Sequence, residues 1–265
     1  MAVTFIKEGY IAKVGLNTPE TKNALGPDTL LELVNIWDEC QADNAVRAVI
    51  FYSELPDIFC SGMDLRTAIP ILTGVRPPET DGEKRLMSDP KFFGKAMLKF
   101  KSLEKPVIAA VHGLCLTGGF EMVMGCELRV AAYDAVFQMR ETTLGIMPMG
   151  GSNVFLPAQI GSARALEILL TGNNFSASKL YEWGFLNRVS TRDRYMDEAL
   201  ALAEKIASNG PQSVRGMVRF ARELQGMTLE QALMREVEVA SPIFMSEDAR
   251  EGVRAQKEKR KPEYK

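Results

Sequence analysis

The chain has 265 residues, of which 46% are hydrophobic and 25% are charged, and its formal net charge is −2. This length and composition are those of one large folded domain, or of a domain with a helical appendage. The small net charge gives no general attraction for nucleic acid or an anionic membrane, and no apolar run approaches the roughly 20 residues of a membrane-spanning helix.

The start of the chain and its cysteines predict a cytoplasmic protein. Residues 1–10 carry Lys7 and Glu8 in a strand-like pattern and lack the long apolar core of a signal peptide. The four cysteines form no Cys-x-x-Cys pair, and most lie in apolar segments. We therefore expect reduced, buried thiols, with neither a metal site nor a disulfide framework.

Short apolar runs and turn residues alternate in the first part of the chain. Residues 3–6 and 11–16 predict a β-hairpin, and a helix begins at Pro27. The next prediction is a buried strand, then a second strand that runs into a glycine-containing turn and a helix. The segments concerned are residues 48–52 and 58–65. The proline- and glycine-containing residues 70–90 predict an irregular binding loop or lid, and residues 91–101 predict a helix.

The stretch over residues 106–121 carries the first functional signal. Residues 107–111 predict a buried strand, residues 117–119 break the pattern, and residues 120–130 continue at helical spacing. Glycines at a strand-to-helix turn expose backbone N–H groups near the positive end of the helix dipole. With Glu121 in the first turn, this arrangement suits a developing oxyanion beside a carboxylate. Ordinary turns and helix starts share these features, so the stretch alone leaves both interpretations open.

The rest of the chain changes from mixed to helical composition near residue 200. Up to that point, strand–strand–helix units predict a layered or spiral β-structure. Its later segments are strands at 129–132, 135–138 and 186–189 and helices at 152–159, 163–170 and 177–183. Beyond it the pattern predicts only helices, at 195–208, 212–225, 228–240 and 246–259. We therefore expect an α/β core over residues 1–200 and a C-terminal helical region over residues 201–265.

Motifs spread over nearly the whole chain occur in the order and at the spacings of one known family. They are residues 22–25, 59–65, 105–121 with 126–127, 137–151, 169–172, 183–189 and 246–262. Each motif alone is weak, but together they are specific. The chain resembles the crotonase superfamily, whose best-known members are enoyl-CoA hydratases and isomerases.

The resemblance implies an α/β fold in which repeated ββα units form a spiral, followed by C-terminal helices that mediate trimer formation. It also implies an acyl-CoA thioester substrate from fatty acid or lipid metabolism and assembly as a homotrimer or a dimer of trimers. Coenzyme A would enter as part of the substrate, so no separate cofactor is expected. Neither nucleic acid nor a membrane is expected as a partner.

The resemblance also assigns catalytic groups. It implies that the backbone N–H groups of Met63 and Gly118 stabilise a thioester enolate. Glu121 and Glu141 occupy the two carboxylate positions of the family. In a hydratase, we expect Glu121 to activate water and Glu141 to deliver the proton to the α carbon.

Further positions match segments of the family that contact the substrate. They are Thr21, Lys22, Ser61, Gly62, Asp64, Leu65, Thr117, Gly119 and Lys259. Asp64 also suits a cap of its turn. Lys259 has two interpretations, a ligand for the CoA phosphates of a neighbouring subunit or a solvated basic helix end.

Two departures from the family pattern leave the reaction open. Arg140 stands where proline is frequent, and a cation there favours ionisation of Glu141 and weakens it as an acid, or forms a surface ion pair with it. Thr117 stands where a third glycine is common.

The alternatives to a hydratase are an isomerase or a CoA-ester hydrolase that uses Glu141, and a binding protein without turnover. His112 fits a hydrogen-bonded structural residue.

Overall fold

The computed structural model describes residues 1–100, 103–224 and 226–264. In chain order, its strands are β1 (Val3–Glu8), β2 (Ile11–Leu16), β3 (Ala48–Ser53), β4 (Ile58–Cys60), β5 (Val107–Val111), β6 (Leu114–Leu116), β7 (Leu128–Ala132), β8 (Val136–Gln138), β9 (Phe175–Ser176) and β10 (Arg188–Ser190). They form a six-stranded sheet in the order β1-β2-β3-β5-β7-β10 and a four-stranded sheet in the order β4-β6-β8-β9.

The helices cover the sheets and make up the end of the chain. They are α1 (Pro27–Ala42), α2 (Leu65–Leu72), α3 (Asp81–Ser88), α4 (Phe92–Ala96), α5 (Gly118–Met124), α6 (Ser152–Ile160), α7 (Ser162–Thr171), α8 (Ala177–Glu182), α9 (Tyr195–Ala207), α10 (Pro211–Glu223), α11 (Leu229–Phe244) and α12 (Glu247–Lys257). Short 3-10 helices lie at Pro19–Thr21 and Glu141–Leu144.

From β3 to β8, successive strands alternate between the two sheets. β3, β5 and β7 pair in parallel in the large sheet, while β4, β6 and β8 pair in parallel in the small one. Each ββ pair is followed by at least one helix before the next pair begins. The predicted spiral of ββα units is therefore present, and it brings the ends of β4, β6 and β8 together at one edge.

Both faces of the central strands β3 and β5 of the large sheet are buried, as expected for parallel strands. Alternate residues of β3 point to opposite sides. Val49 and Phe51 join the main core under α1, whereas Ala48 and Ile50 join a second core under α9. In the main core the rings of Trp37 and Phe51 meet edge to face, with their centroids 5.8 Å apart.

The prediction of an irregular segment at residues 70–90 is wrong in part. α2 extends to Leu72 through Pro70, and α3 forms a regular helix within the segment. The Thr80 hydroxyl accepts a hydrogen bond from the Glu83 N–H, and the Glu83 carboxylate accepts one from the Thr80 N–H. This capping box starts α3, and its Thr-x-x-Glu pattern was present in the sequence.

Two helix predictions were too long. The helix predicted at 91–101 ends at Ala96, because Leu98 adopts a left-handed conformation with φ of 56°; residues 101 and 102 lie outside the described residues. The helical spacing over residues 120–130 gives a helix only as far as Met124, and the strand predicted at 129–132 is present as β7 between β5 and β10. Pairing within the sheet outweighed the helical spacing there.

The hairpin, α1, β3, β5 and the four C-terminal helices confirm the predictions made for them. α9 spans residue 200 and packs Ala199, Ala203 and Ala207 against the large sheet. The division of the chain at residue 200 stays a prediction. Within the described part of the chain, no helix combines the length and apolar character that crossing a bilayer requires.

Candidate active site

A cavity of about 510 Å³ opens where β4 and β6 end. It joins α2, the start of α5 and the loop after β8, and both Glu121 and Glu141 line it. A second cavity, of about 620 Å³, lies among α10, α11 and α12, far from these two carboxylates in the fold. The first cavity is therefore the candidate active site.

Met63 lines this cavity, and the chain on either side of it is held by hydrogen bonds. The Leu25 N–H donates to the Gly62 carbonyl at 2.7 Å, and the Asp64 N–H donates to the Leu25 carbonyl at 3.1 Å. These bonds occupy the groups next to Met63 and leave its own N–H without a protein acceptor among the described residues. Gly62 has φ of 104°, and a Cβ there would lie 1.7 Å from Thr117 Oγ1.

The Gly118 amide lies beside that of Met63. A Cβ added to Gly118 would stand 3.3 Å from the Met63 nitrogen, so the two backbones run close together. Gly118 is the first residue of α5, where an N–H has no partner within the helix, and no protein acceptor for it is found in the described residues. The preceding Thr117 has φ of 46° and ψ of −116°, a conformation that β-branched residues rarely adopt.

Glu121 is buried in α5 and held from the loop that precedes α6. The Ser152 N–H donates to Glu121 Oε1 at 3.1 Å. Burial raises the pKa of Glu121, while hydrogen bonds from Ser152 and Gly150 and the charge of Lys99 act in the opposite direction. Glu121 is thus a buried carboxylate with its own set of stabilising donors.

Gly150 lies directly against the Glu121 carboxylate. A Cβ at position 150 would stand 2.1 Å from Glu121 Oε2, so the loop has no room for a side chain. We expect Gly150→Ala to displace the carboxylate and to lower kcat about 10- to 100-fold, while the protein remains folded. Steady-state kinetics and circular dichroism on the same preparation check this.

Gly210→Ala is the matched control for that substitution. Gly210 has no positive φ, and its nearest neighbour for a new Cβ is a Tyr264 atom at an ordinary 3.6 Å. Wild-type kinetics from Gly150→Ala would show that the Glu121 carboxylate can shift at no cost.

Glu141 begins the short helix Glu141–Leu144 and is 8% exposed. Its Oε2 atom is buried and has no hydrogen-bond partner among the described residues. Burial, assisted by the negative charge of Glu121, raises the pKa of Glu141 to about 7. A buried polar atom without a partner is uncommon in folded proteins and calls for an explanation.

The charge of Arg140 acts on the pKa of Glu141 in the predicted direction, but it does not decide the net shift. Its charge lowers the pKa of Glu141, yet burial outweighs it and the net shift is upward. Arg140 and Glu141 form no ion pair in the described residues. The surface ion pair considered from the sequence is therefore wrong: Glu141 is buried, and Arg140 lines the same cavity with its side chain exposed.

The remaining wall of the cavity is mostly apolar. Its side chains come from α2, α3, α4 and the loop after Glu141–Leu144, and they are Leu65, Ala68, Ile69, Leu72, Leu86, Phe93, Leu144, Ile146, Met147, Pro148 and Met149. Such a lining suits a hydrophobic group placed next to the two carboxylates.

The other substrate-binding predictions fall into two groups. Ser61 lines the cavity; its N–H donates to the Lys22 carbonyl and its hydroxyl donates to the Thr21 carbonyl, at 3.1 and 3.2 Å. Thr21 and Lys22 thus lie beside the cavity. Lys259 is exposed near the end of the chain and does not line it.

Asp64, Gly119 and His112 have structural contacts. Asp64 caps α2 by accepting a hydrogen bond from the Arg66 N–H at 3.1 Å, as expected. Gly119 allows α5 to approach β4, since a Cβ there would lie 2.5 Å from Cys60 Cβ. His112 lies in hydrogen-bond contact with the Leu55 carbonyl and the Tyr195 hydroxyl, both at 2.7 Å.

Two residues near Glu121 were not among the predicted site residues. Ser152 follows the glycines at 150 and 151, and a glycine loop that leads into a helix start was a usable signal. Lys99 had none, because it lay inside a segment predicted to be an ordinary helix. The four cysteines are buried and unpaired, and the described residues hold no cluster of three potential metal ligands.

Comparison with known proteins decides the family. The sequence model of the enoyl-CoA hydratase/isomerase family matches residues 7–265. The chain belongs to this family. It is therefore an enzyme of the crotonase type, and the family implies an acyl-CoA thioester as substrate.

Individual relatives agree over nearly the full length. An enoyl-CoA hydratase of Mycobacterium tuberculosis is 34% identical over 97% of this chain and 94% of its own length. A short-chain-enoyl-CoA hydratase of Clostridium acetobutylicum is also 34% identical, over 97% of this chain and 95% of its own. The crystal structure of an enoyl-CoA hydratase from Bacillus anthracis matches with a TM-score of 0.89 at 31% identity, covering 100% of this chain and 99% of that one.

Proposed function

We propose that the chain is an enoyl-CoA hydratase, which adds water across the double bond of a 2-enoyl-CoA thioester. The observation that carries this proposal is the pair of buried carboxyl groups in one cavity. Glu141 has a pKa of about 7 and an unpartnered oxygen, whereas amide donors and a nearby cation oppose the burial that raises the pKa of Glu121. Two carboxyl groups in such different environments suit one base and one acid.

The Met63 and Gly118 amides form the proposed oxyanion hole. When a nucleophile adds to the β carbon of an enoyl thioester, negative charge moves to the carbonyl oxygen. Two N–H donors without protein acceptors in the described residues support this role, since such donors would stabilise that charge and the loss of one typically costs on the order of 10²–10³ in rate. Gly62 packs closely against Thr117, and Gly118 packs closely against Met63, so the two amides lie near each other beside the cavity.

The proton transfers follow from the two carboxyl groups. Glu121, as the anion, accepts a proton from water while the water oxygen forms a bond to the β carbon. The electrons of the double bond move towards the thioester, and the enolate oxygen accepts hydrogen bonds from the two amides. Glu141, in its neutral form, then donates its proton to the α carbon and gives the 3-hydroxyacyl-CoA. A proton passed from Glu121 to Glu141 restores both groups.

The remaining site assignments are proposals that belong to this function. The apolar wall holds the acyl chain, and Thr21, Lys22, Ser61 and Leu65 lie where the thioester and the pantetheine arm enter. Coenzyme A is part of the substrate, and the scheme requires no other group. The C-terminal helices and Lys259 would take part in a trimer or a dimer of trimers in which Lys259 meets the CoA phosphates of a neighbouring subunit.

The test is the loss of conjugated enoyl-thioester absorbance when purified protein is mixed with crotonyl-CoA and with longer 2-enoyl-CoA esters. Hydration of at least one ester supports the proposal. Conversion of a 3-enoyl-CoA in preference to any 2-enoyl-CoA would replace it with an isomerase, and release of free CoA would replace it with a hydrolase. Binding of the esters without turnover would leave a binding protein.

The pH dependence of kcat/KM should be bell-shaped. Glu121 must be ionised, so the rate falls as the pH drops through its pKa, which burial raises above 4.5. Glu141 must be protonated, so the rate also falls as the pH rises through about 7. Initial rates from pH 5 to 9 check this. A rate that keeps rising from pH 7 to 9 would contradict the role of Glu141 as the acid.

A further inference from the structure

Lys99 is a cation turned inward at the back of the active site. It follows α4, and its ammonium group donates a hydrogen bond to the main-chain carbonyl of Glu121 at 2.5 Å. The same ammonium lies 4.6 Å from the centre of the Phe155 ring. The proposed reaction scheme gives this lysine no step, so its position calls for an explanation.

The Glu121 carbonyl is one of the last four carbonyl groups of a very short helix. α5 has 7 residues, so its last carbonyl groups have no N–H partners within the helix. Lys99 supplies a donor for Glu121. The Arg129 guanidinium supplies donors to the carbonyls of Val123 and Met124, at 2.9 and 3.0 Å. Two cations thus stabilise the negative end of the helix whose first N–H faces the substrate.

Lys99 also contacts the second element that holds Glu121. Phe155 lies on α6, and the first N–H of α6, from Ser152, donates to the Glu121 carboxylate. A Cβ on Gly151 would lie 3.4 Å from Lys99 Cε, which shows that the lysine stem packs along the loop before α6. One side chain therefore joins the backbone of Glu121 to the helix that binds its carboxylate.

The charged and titratable groups around Glu121 come from several elements. The charge of Lys99 favours the anionic form of Glu121, and the negative charge of Glu121 in turn raises the pKa of Glu141 across the cavity. Arg129 and Cys126, beyond the end of α5, act on Lys99 itself. Burial lowers the pKa of Lys99 to about 7, so the lysine keeps its charge over the acidic range in which Glu121 loses its proton.

We propose that Lys99 is a positioning residue that holds Glu121 in place and keeps it ionised for attack by water. This inference rests on the proposed role of Glu121 as the base. It adds a residue that acts through Glu121 and does not touch the substrate.

The test compares Lys99→Met, which keeps the length of the stem, with Lys99→Arg, which keeps the charge. We expect Lys99→Met to lower kcat about 10- to 100-fold with little change in KM, and to move the acidic limb of the pH profile to higher pH. Lys99→Arg should keep the acidic limb at its wild-type position. Lys95→Met is the matched control, because Lys95 lies on the adjacent α4 and pairs with Asp38 at the surface.

A second readout separates this inference from the proposed function. The titration of Glu121 is followed by 13C NMR of protein labelled at the glutamate carboxyl, with its resonance assigned by its absence in Glu121→Gln. If no enoyl-CoA is hydrated, the hydratase proposal fails, and the midpoint of Glu121 in Lys99→Met still decides the inference. If Lys99→Met does not fold, Lys99→Gln keeps a donor without the charge. An unchanged midpoint in the folded variant, or an equal shift in Lys95→Met, would overturn the inference.

Discussion

Replacing Glu141 with glutamine should lower kcat for crotonyl-CoA hydration by about 10²–10⁴-fold with little change in KM, the range that a positioned general acid contributes. Glutamine has nearly the same shape and fills the same space, but it has no proton to give to the α carbon. Because burial places the pKa of Glu141 at about 7, the wild-type group carries that proton in a large fraction of molecules at neutral pH. Steady-state kinetics at pH 6.5 measures the loss.

The stability of the same variant provides the control. The folded protein binds the Glu141 proton more tightly than the unfolded chain does, so this group makes the protein less stable as the pH rises from 4.5 to about 7. A neutral glutamine avoids the buried charge, and we expect Glu141→Gln to melt at or above the wild-type temperature at pH 8. Glu182→Gln, which changes an exposed carboxylate, should alter neither property. Retained activity in Glu141→Gln would exclude Glu141 as the acid.

Replacing Glu121 with glutamine should also lower kcat by about 10²–10⁴-fold, because the amide cannot accept a proton from water. Its oxygen can still accept the hydrogen bond from the Ser152 N–H, so the loop before α6 should keep its position. The acidic limb of the pH profile, which reports ionisation of Glu121, should disappear in the variant. Rate measurements from pH 5 to 9 check both results.

Comparison of the two variants separates the reactions open to this family. A hydratase needs both carboxyl groups, so each variant should lose hydration. A large loss from Glu141→Gln alone, with Glu121→Gln close to wild type and a 3-enoyl-CoA as the better substrate, would identify an isomerase. The double variant should be little slower than either single variant, because the effects of groups that act as a unit are not additive.

Much of the fold could be predicted because it depends on local patterns. The short apolar runs of β3 and β5, the proline that opens α1 and the glycine turns before α2 and α5 are all visible within a few residues. The pairing of strands into two sheets is not a local property: the strand–strand–helix pattern and the resemblance both predicted a spiral, but neither gave the order of the strands. α3 was missed although its capping box could be read from the sequence.

The candidate site shows where prediction from the sequence fails. The carboxyl positions and the two amides came from motifs, and the structure brings them to one cavity. The effect of Arg140 on Glu141 was misjudged, because a sequence shows neighbouring charges but not the burial that outweighs them. The contact of Lys99 with Glu121 could not be predicted from the sequence, since it depends on the left-handed conformation of Leu98, after which the lysine points inward.

The most direct test of the hydratase assignment is the isotope content of the product formed by wild-type enzyme from crotonyl-CoA in H₂¹⁸O and, separately, in D₂O. The account predicts 3-hydroxybutyryl-CoA with one ¹⁸O at the β carbon and one deuterium at the α carbon, since water supplies the hydroxyl group and, through Glu121 and Glu141, the proton. An isomerised enoyl-CoA without ¹⁸O, or ¹⁸O found only in a free carboxylic acid, would contradict it.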